Sequence, residues 1–184
     1  MKRFPCENYA SLELNQVAFP KTGMVVSQVP LGTAFTEDAP CENGMWVVAD
    51  KAAGAINAPA AATDKPIGIV YTAEKEYNDI RTWGLKSFGR KIAGDYPRVG
   101  ILGLGDTVTT NCLQYNDTTY TTFAALEAVL KAAATTPVYV APVAGSAVPQ
   151  LTASKPASGI YGKVVKYYTM PNGEKGVKYQ IVSL

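Results

Sequence analysis

The clearest alternation of apolar and polar positions lies near the C-terminal end of the chain. Three apolar residues alternate there with two polar ones: Val177, Lys178, Tyr179, Gln180 and Ile181. This pattern is typical of a strand with one buried and one solvated face. The preceding segment, 171–174, reads Pro-Asn-Gly-Glu, which suits a tight turn because proline presets φ and Asn-Gly tolerates the left-handed conformation. The sequence therefore predicts a hairpin of two strands, 162–170 and 175–184.

Residues 121–134 have the periodicity of an amphipathic helix. Four apolar residues fall on one of its faces: Phe123, Leu126, Val129 and Leu130. The hydroxyl of Thr121 or Thr122 can cap the first turn, and Pro137 limits the helix because the residue before a proline disfavours helical geometry. We predict that this is the only long helix and that it packs on a sheet. Three of its side chains should be buried: Phe123, Leu126 and Leu130.

Shorter β segments are predicted upstream, at 34–36, 45–49 and 67–72, because apolar and β-branched residues there are separated by Pro and Gly turns. The dipeptide Asn43-Gly44 directly precedes the second segment, and it favours a hairpin. Residues 52–62 are rich in Ala but contain a glycine and a proline, so we predict a loop.

Two stretches, 47–77 and 138–168, resemble diverged copies of one β unit. An ungapped alignment superposes five pairs of like residues: Val47 and Val138, Gly54 and Gly145, Gly68 and Gly159, Ile69 and Ile160, Tyr77 and Tyr168. If the copies are real, Gly68 and Gly159 should begin matching strands, and the isoleucines that follow them should share an environment. The alternative is chance similarity in a chain rich in Ala, Pro and Gly.

Residues 1–30 contain three prolines, which prevent a long helix and disfavour a central strand. We predict an extended arm with pieces of edge strand. Its apolar side chains are candidate partner-binding residues: Phe4, Tyr9, Leu12, Leu14 and Phe19. They are too apolar for a free tail, so the arm is expected to lie on a neighbouring subunit or on a partner. The alternative is that the arm folds back on its own barrel as an edge strand.

These patterns together predict a mainly β protein. We expect a β-barrel or sandwich built from two diverged β units, with one amphipathic helix and an extended N-terminal arm. The predicted boundaries are 1–30 for the arm, 31–77 for the first β unit, 78–98 for an insertion or linker and 99–184 for the second β unit. The last region includes helix 121–134 and the C-terminal hairpin.

Composition narrows the range of partners. Hydrophobic residues make up 47% of the 184-residue chain and charged residues only 17%, against about 25% in typical soluble domains. A weakly charged surface is easily desolvated and suits broad protein contacts, although it is also compatible with an ordinary soluble domain. The net charge is +2 without any run of like charge, so the sequence predicts no nucleic-acid partner.

One basic cluster, interleaved with aromatic residues, falls in the predicted linker: Arg81, Trp83, Lys86, Phe88, Arg90, Lys91 and Arg98. It is either a solvated loop or a site for an acidic partner.

The residues available for chemistry are few. The chain has no histidine, which removes the commonest general base and the commonest metal ligand. Its cysteines, Cys6, Cys41 and Cys112, form no C-x-x-C pair and are expected to be reduced structural thiols, as in the cytosol. The sequence thus predicts no catalytic residue, no cofactor and no metal site. No stretch approaches the about 20 apolar residues of a membrane span, and residues 1–14 do not resemble a signal peptide.

The segment 99–106, Val-Gly-Ile-Leu-Gly-Leu-Gly-Asp, imitates the start of a dinucleotide-binding fold. Its third glycine is replaced by Val108, and the β-branched residues that follow are poor helix formers. We therefore interpret it as a strand, a glycine turn and a second strand.

Three motifs carry a resemblance to a known family. They are Gly-Asp-Thr-Val-Thr-Thr-Asn at 105–111, Asn-Gly-Met-Trp-Val-Val at 43–48 leading to Lys-Pro-Ile-Gly-Ile-Val at 65–70, and the closing Pro-Asn-Gly hairpin. Together they resemble the head decoration proteins of tailed bacteriophages, also called auxiliary capsid or cement proteins. The resemblance covers most of residues 30–184 in style, and it transfers no functional residue individually.

The resemblance implies a structural virion protein without enzymatic activity. Such a protein would be made in the host cytoplasm, bind the major capsid protein on the capsid exterior and stabilise the head, as a homo-oligomer with a trimer favoured. The alternative is a β-barrel binding module, for carbohydrate or as a tail or fibre component. Its support is aromatic: the chain has 11 tyrosines, and Trp46 and Trp83 lie near predicted loops.

Overall fold

The structure, a computed structural model, describes residues 1–14, 17–18, 24–72 and 91–184. This part of the chain is mainly β and contains one α-helix, which confirms the predicted fold class. A short 3-10 helix spans Lys51–Ala53. The strands are β1 Lys2–Arg3, β2 Val25–Val26, β3 Trp46–Val48, β4 Ile67–Val70, β5 Val99–Ile101, β6 Thr107–Thr110, β7 Gln114–Tyr115, β8 Tyr139–Val143, β9 Ser146–Thr152, β10 Tyr161–Thr169 and β11 Lys175–Ser183.

The larger sheet has seven strands in the order β1-β7-β9-β8-β10-β11-β6 and curls into a half-barrel. Connectivity explains the curl. Five inter-strand gaps separate β7 from β6, which would place them about 24 Å apart in a flat sheet. They are joined by residues 111–113 alone, a link that reaches at most about 14 Å. The two ends of the sheet must therefore curve towards each other.

The smaller sheet has the order β2-β5-β4-β3 and is covered on both faces. Its Trp46, Ile67 and Ile69 are buried in a core shared with the larger sheet. Val47 and Val70 belong to a second core, which includes side chains from β9. The smaller sheet thus links two cores.

The helix, α1, spans Phe123–Lys131, which is shorter than the predicted 121–134. Thr122 is its N-cap, and the Thr122 side chain accepts a hydrogen bond from the Ala125 backbone N–H at 3.2 Å. Ala132 leaves the helical conformation, so turns replace the last predicted residues well before Pro137. Leu126 and Leu130 are buried as predicted, whereas Phe123 is half-buried.

The predicted C-terminal hairpin is confirmed as β10 and β11. Gly173 in the connecting turn has φ +85°, a conformation that glycine adopts without steric cost. The return strand alternates as expected, with three side chains turned to the core: Val177, Tyr179 and Ile181.

Two upstream predictions were wrong. Residues 34–36 form no strand, and the turn at Asn43-Gly44 does not join two paired strands. The backbone N–H of Gly44 donates to the carbonyl of Val70, so the chain that enters β3 is already paired with β4. The preceding Cys41 pairs instead with Lys91.

The proposed repeat has mixed outcomes. Ile69 and Ile160 are both buried in the same core cluster, as expected. Gly68 lies inside β4, but Gly159 has φ +80° in a bend that precedes β10, so the two glycines do not begin matching strands. The internal symmetry and the domain boundaries stay predictions. Most of the predicted linker, 78–98, lies outside the described residues.

Candidate interaction surface

The N-terminal arm lies along the two edges of the half-barrel. At one edge β1 pairs with β7, and the Phe4 backbone N–H donates to the carbonyl of Leu113 at 2.9 Å. At the other edge the Glu13 N–H donates to the carbonyl of Thr109 at 3.0 Å. Residues 12 and 18 also form bridges to β6. The arm therefore closes the seam between the first and last strands of the curled sheet.

This position matches the alternative in which the arm folds back on its own barrel. Phe4 is only 1% exposed and packs edge-on against Phe123, with ring centroids 5.0 Å apart. Leu12 is buried, and Tyr9 and Leu14 are half-buried. Phe19 lies outside the described residues. The partner-binding role of these five side chains stays a prediction, and Phe4 has almost no surface for a partner while the arm is in place.

A carboxylate at the tip of the C-terminal hairpin anchors the arm. Oε2 of Glu174 accepts hydrogen bonds from Oγ of Ser11 at 3.1 Å and from Nδ2 of Asn111 at 3.0 Å. Nδ2 of Asn172 donates to the same oxygen at 3.0 Å, and the Glu7 backbone N–H donates to Oε1 at 2.6 Å. Hydrogen bonds to a charged acceptor are stronger than neutral ones, so this network holds the middle of the arm firmly.

A second carboxylate, that of Glu42, also holds the arm. Oε2 of Glu42 lies 2.9 Å from a guanidinium nitrogen of Arg3 and accepts the Ala10 N–H at 2.7 Å. The neighbouring Cys41 and Cys112 are buried free thiols. Burial raises the pKa of both thiols, which keeps them protonated and chemically inert. Their role here is structural.

One surface that the described residues leave open to solvent is the outer side of the C-terminal hairpin, which we call the outer face. It comprises six side chains that point away from the core: Lys163, Val165, Lys166, Lys178, Gln180 and Val182. Lys163 lies directly opposite Gln180, and Lys166 lies directly opposite Lys178. The outer face thus forms one continuous strip across two strands.

Both valines of the outer face are the extra residues of β-bulges. The β10–β11 register shifts between Val164 and Lys166, which leaves Val165 without a partner in β11. A second shift leaves Val182 of β11 without a partner in β10. Val165 is 57% exposed and Val182 is 40% exposed. Bulges re-aim side chains, and here they turn two β-branched apolar groups towards solvent.

The charged side chains of the outer face are all basic. Strands β6, β8, β10 and β11 contain no Asp or Glu, whereas β10 and β11 together contain four lysines. Lys166 and Lys178 face each other across the strands, which is unfavourable for like charges. The ammonium group of Lys166 is 5.1 Å from the ring centroid of Tyr168, whose hydroxyl donates to Oε2 of Glu13 at 3.0 Å. One arm carboxylate therefore borders the strip: its Oε2 accepts the Tyr168 hydroxyl, and its buried Oε1 has no hydrogen-bond partner.

The glycine-rich segment that imitates a nucleotide motif is a strand, a turn and a second strand, as interpreted from the sequence. Asp106 ends the turn and is fully buried. Its Oδ2 accepts the Gly103 backbone N–H at 2.7 Å, but its Oδ1 has no hydrogen-bond partner. Burial raises the pKa of this carboxyl group. The group supports the turn that leads into β6 and has no neighbouring acid or base within this motif.

No His, Cys, Asp and Glu cluster in the described ranges is arranged to hold a metal ion. Over the same ranges no helix has the length and apolar character needed to cross a membrane. Comparisons with protein-family models, with curated proteins and with solved structures each found no match to the chain.

Sequence reasoning identified the return strand but missed the outer face. The signal was present in the first strand, where Lys163-Val164-Val165-Lys166 breaks the period of two. Two consecutive apolar residues between polar ones indicate a bulge when the strand is otherwise alternating.

Of the basic cluster in the predicted linker, only Lys91 and Arg98 belong to the described residues. Lys91 forms a β-bridge with Cys41, and the guanidinium of Arg98 lies over the ring of Tyr71, so the two have different partners.

Proposed function

We propose that this protein is a structural virion component that binds the outside of a tailed-phage capsid and stabilises the head. The observation that carries the proposal is the outer face, where exposed valines and lysines share a rigid two-stranded surface. Specific protein interfaces combine an apolar centre with a polar rim, and the outer face has both kinds of side chain. The sequence resemblance and the low charged fraction of 17% support the same role.

The proposal is one of binding rather than catalysis. The carboxylates Glu42 and Glu174 hold the arm, and the buried thiols are protonated, so these groups serve the fold. The partner is the major capsid protein, and the resemblance implies a homo-oligomer with a trimer favoured.

The test uses heads assembled from the major capsid protein encoded in the same genome. The purified protein should co-sediment with these heads until its sites are saturated, and decorated heads should withstand a higher temperature than bare heads. Differential scanning calorimetry of both preparations measures the shift. Absence of both saturable binding and thermal stabilisation would contradict the proposed function.

The carbohydrate-binding alternative gains no support from Trp46, although Tyr96 is 62% exposed in the described residues. Trp46 is 0% exposed, and its indole N–H donates to the hydroxyl of Tyr179 at 2.9 Å. It therefore cannot stack on a sugar ring, which requires an exposed aromatic face. Trp83 lies outside the described residues.

A further inference from the structure

We infer that the outer face is the surface that docks on the partner, and that the partner presents an acidic protein surface with shallow apolar sites for Val165 and Val182. Its identification with the capsid shell rests on the proposed function. The chemistry of the contact rests on the outer face alone.

The positive charge of the outer face favours a partner surface of negative charge. Lys163, Lys166 and Lys178 occupy strands that carry no acidic residue, and the neighbouring strands β6 and β8 add none. The adjacent Glu13 is bound to the hydroxyl of Tyr168. Carboxylates of a partner would reduce the repulsion between these lysines. Complementary charge also speeds association.

The valines define the apolar part of the contact. Val165 and Val182 are held in bulges inside a hydrogen-bonded hairpin, so their backbone is already ordered before binding. Preorganised side chains lose little conformational entropy on docking. The two bulges lie on opposite strands, which spaces the two apolar contacts across the width of the hairpin.

A second copy of the chain is a poor occupant. In a two-fold dimer the same patch faces itself, so the lysines of one outer face would meet the lysines of the other. Like charges placed opposite each other across an interface suppress association.

Single-stranded nucleic acid is also a poor occupant. Single-stranded nucleic acid is bound by stacking on exposed aromatic rings. The Tyr168 ring is approached by Lys166 and its hydroxyl is held by Glu13, while the exposed apolar residues are valines, which cannot stack. An acidic protein surface fits the outer face better.

Charge reversal tests the docking surface. The variant Lys163→Glu/Lys166→Glu should bind heads at least about tenfold more weakly than the wild type, because attraction becomes repulsion. The matched control Lys65→Glu/Lys155→Glu makes the same charge change at exposed positions outside the hairpin and should bind like the wild type. Equal thermal unfolding of the three proteins verifies that folding is unaffected. If both double variants lose affinity equally, the inference is overturned.

Polar replacement tests the bulge valines. Val165→Ser should weaken binding by about threefold, since an apolar contact is lost without a change in charge. The control Val25→Ser alters a valine of β2 that is 36% exposed, and it should leave binding unchanged. Unchanged binding by Val165→Ser would overturn the apolar part of the inference.

A probe other than the capsid separates this inference from the proposed function. Retention on immobilised poly-glutamate should fall for Lys163→Glu/Lys166→Glu and not for the control pair. If the wild type ignores heads but shows this difference on poly-glutamate, the proposed function fails and the acidic docking surface stands. If duplex DNA is bound through the same lysines more tightly than poly-glutamate, the inference of a protein partner is overturned.

Discussion

The N-terminal arm and the outer face of the C-terminal hairpin both carry apolar side chains on β structure, and they use them in opposite ways. Phe4 of the arm is 1% exposed because it fills the chain's own core, whereas Val165 of the outer face is 57% exposed. The arm has the more apolar sequence, yet its apolar surface is largely consumed within the molecule. The comparison teaches that strand register, rather than apolar content, determines which surface is available to a partner.

Removing the arm should give the largest effect. Deleting residues 1–14 uncovers the edges of β6 and β7 and removes Phe4 and Leu12 from the core. We expect the melting temperature to fall by more than about 10 °C, or the cooperative transition to disappear. Thermal unfolding followed by circular dichroism measures this. A truncated protein as stable as the full chain would show instead that the arm lies on a neighbouring subunit or on a partner, the other expectation drawn from the sequence.

Single truncations sharpen the same contrast. Phe4→Ala should lower the free energy of unfolding by about 3–5 kcal/mol, because a buried aromatic side chain is replaced by a cavity. Val165→Ala changes an exposed side chain and should stay within about 0.5 kcal/mol of the wild type. Denaturant titrations of the two variants provide both values. Equal losses would mean that the valine is buried by a contact within the folded chain.

The smallest expected effect is a pH dependence of stability. It arises from Asp106, a buried carboxyl group that leads into β6, whereas the titratable groups of the outer face are lysines. The pKa of Asp106 is raised by burial, so its neutral form is favoured in the folded state. Its contribution to stability is therefore fully present below the pKa of the unfolded chain and is lost as pH rises through the folded pKa. Between about pH 7 and about pH 4 the wild type should gain stability relative to Asp106→Asn.

Melting temperatures of the two proteins across that range test the prediction. Other carboxyl groups titrate in both proteins, so the difference between them isolates Asp106. A difference that does not change with pH would show that this carboxyl group is not desolvated.

The sequence predicted the elements whose signals are local. The C-terminal hairpin follows from alternation and from its Pro-Asn-Gly turn, and Thr122 was among the two predicted N-caps. The helix ended early because Ala132 turns out of it, and nothing in an Ala-rich segment marks that residue. Propensity does not distinguish a last helical residue from a first turn residue when both are helix formers.

The seam could not be predicted because its pairings are distant in sequence. The Ser11 backbone N–H donates to Oδ1 of Asn111, 100 positions away, and the Phe4 N–H pairs with Leu113. The arm sequence is compatible with an edge strand in its own barrel and with one in a neighbour, because the same backbone hydrogen bonds serve both. The break in alternation at Lys163-Val164-Val165-Lys166 indicates a bulge in the first strand, but the second bulge, at Val182, becomes visible only when the two strands are set in register.

The closed seam has a consequence for the order of events during synthesis. Ser11 of the arm is made before its partner Asn111, which follows 100 residues later, a delay of about 5–20 s at typical elongation rates. β6 can join the larger sheet only after β11 has been made, because β11 lies between β6 and β10. Until these strands are made, the core around Phe4 and Leu12 lacks its members from Leu113 to Ile181. The arm is thus made well before the strands that hold it, and the curled sheet closes only after β11 has emerged.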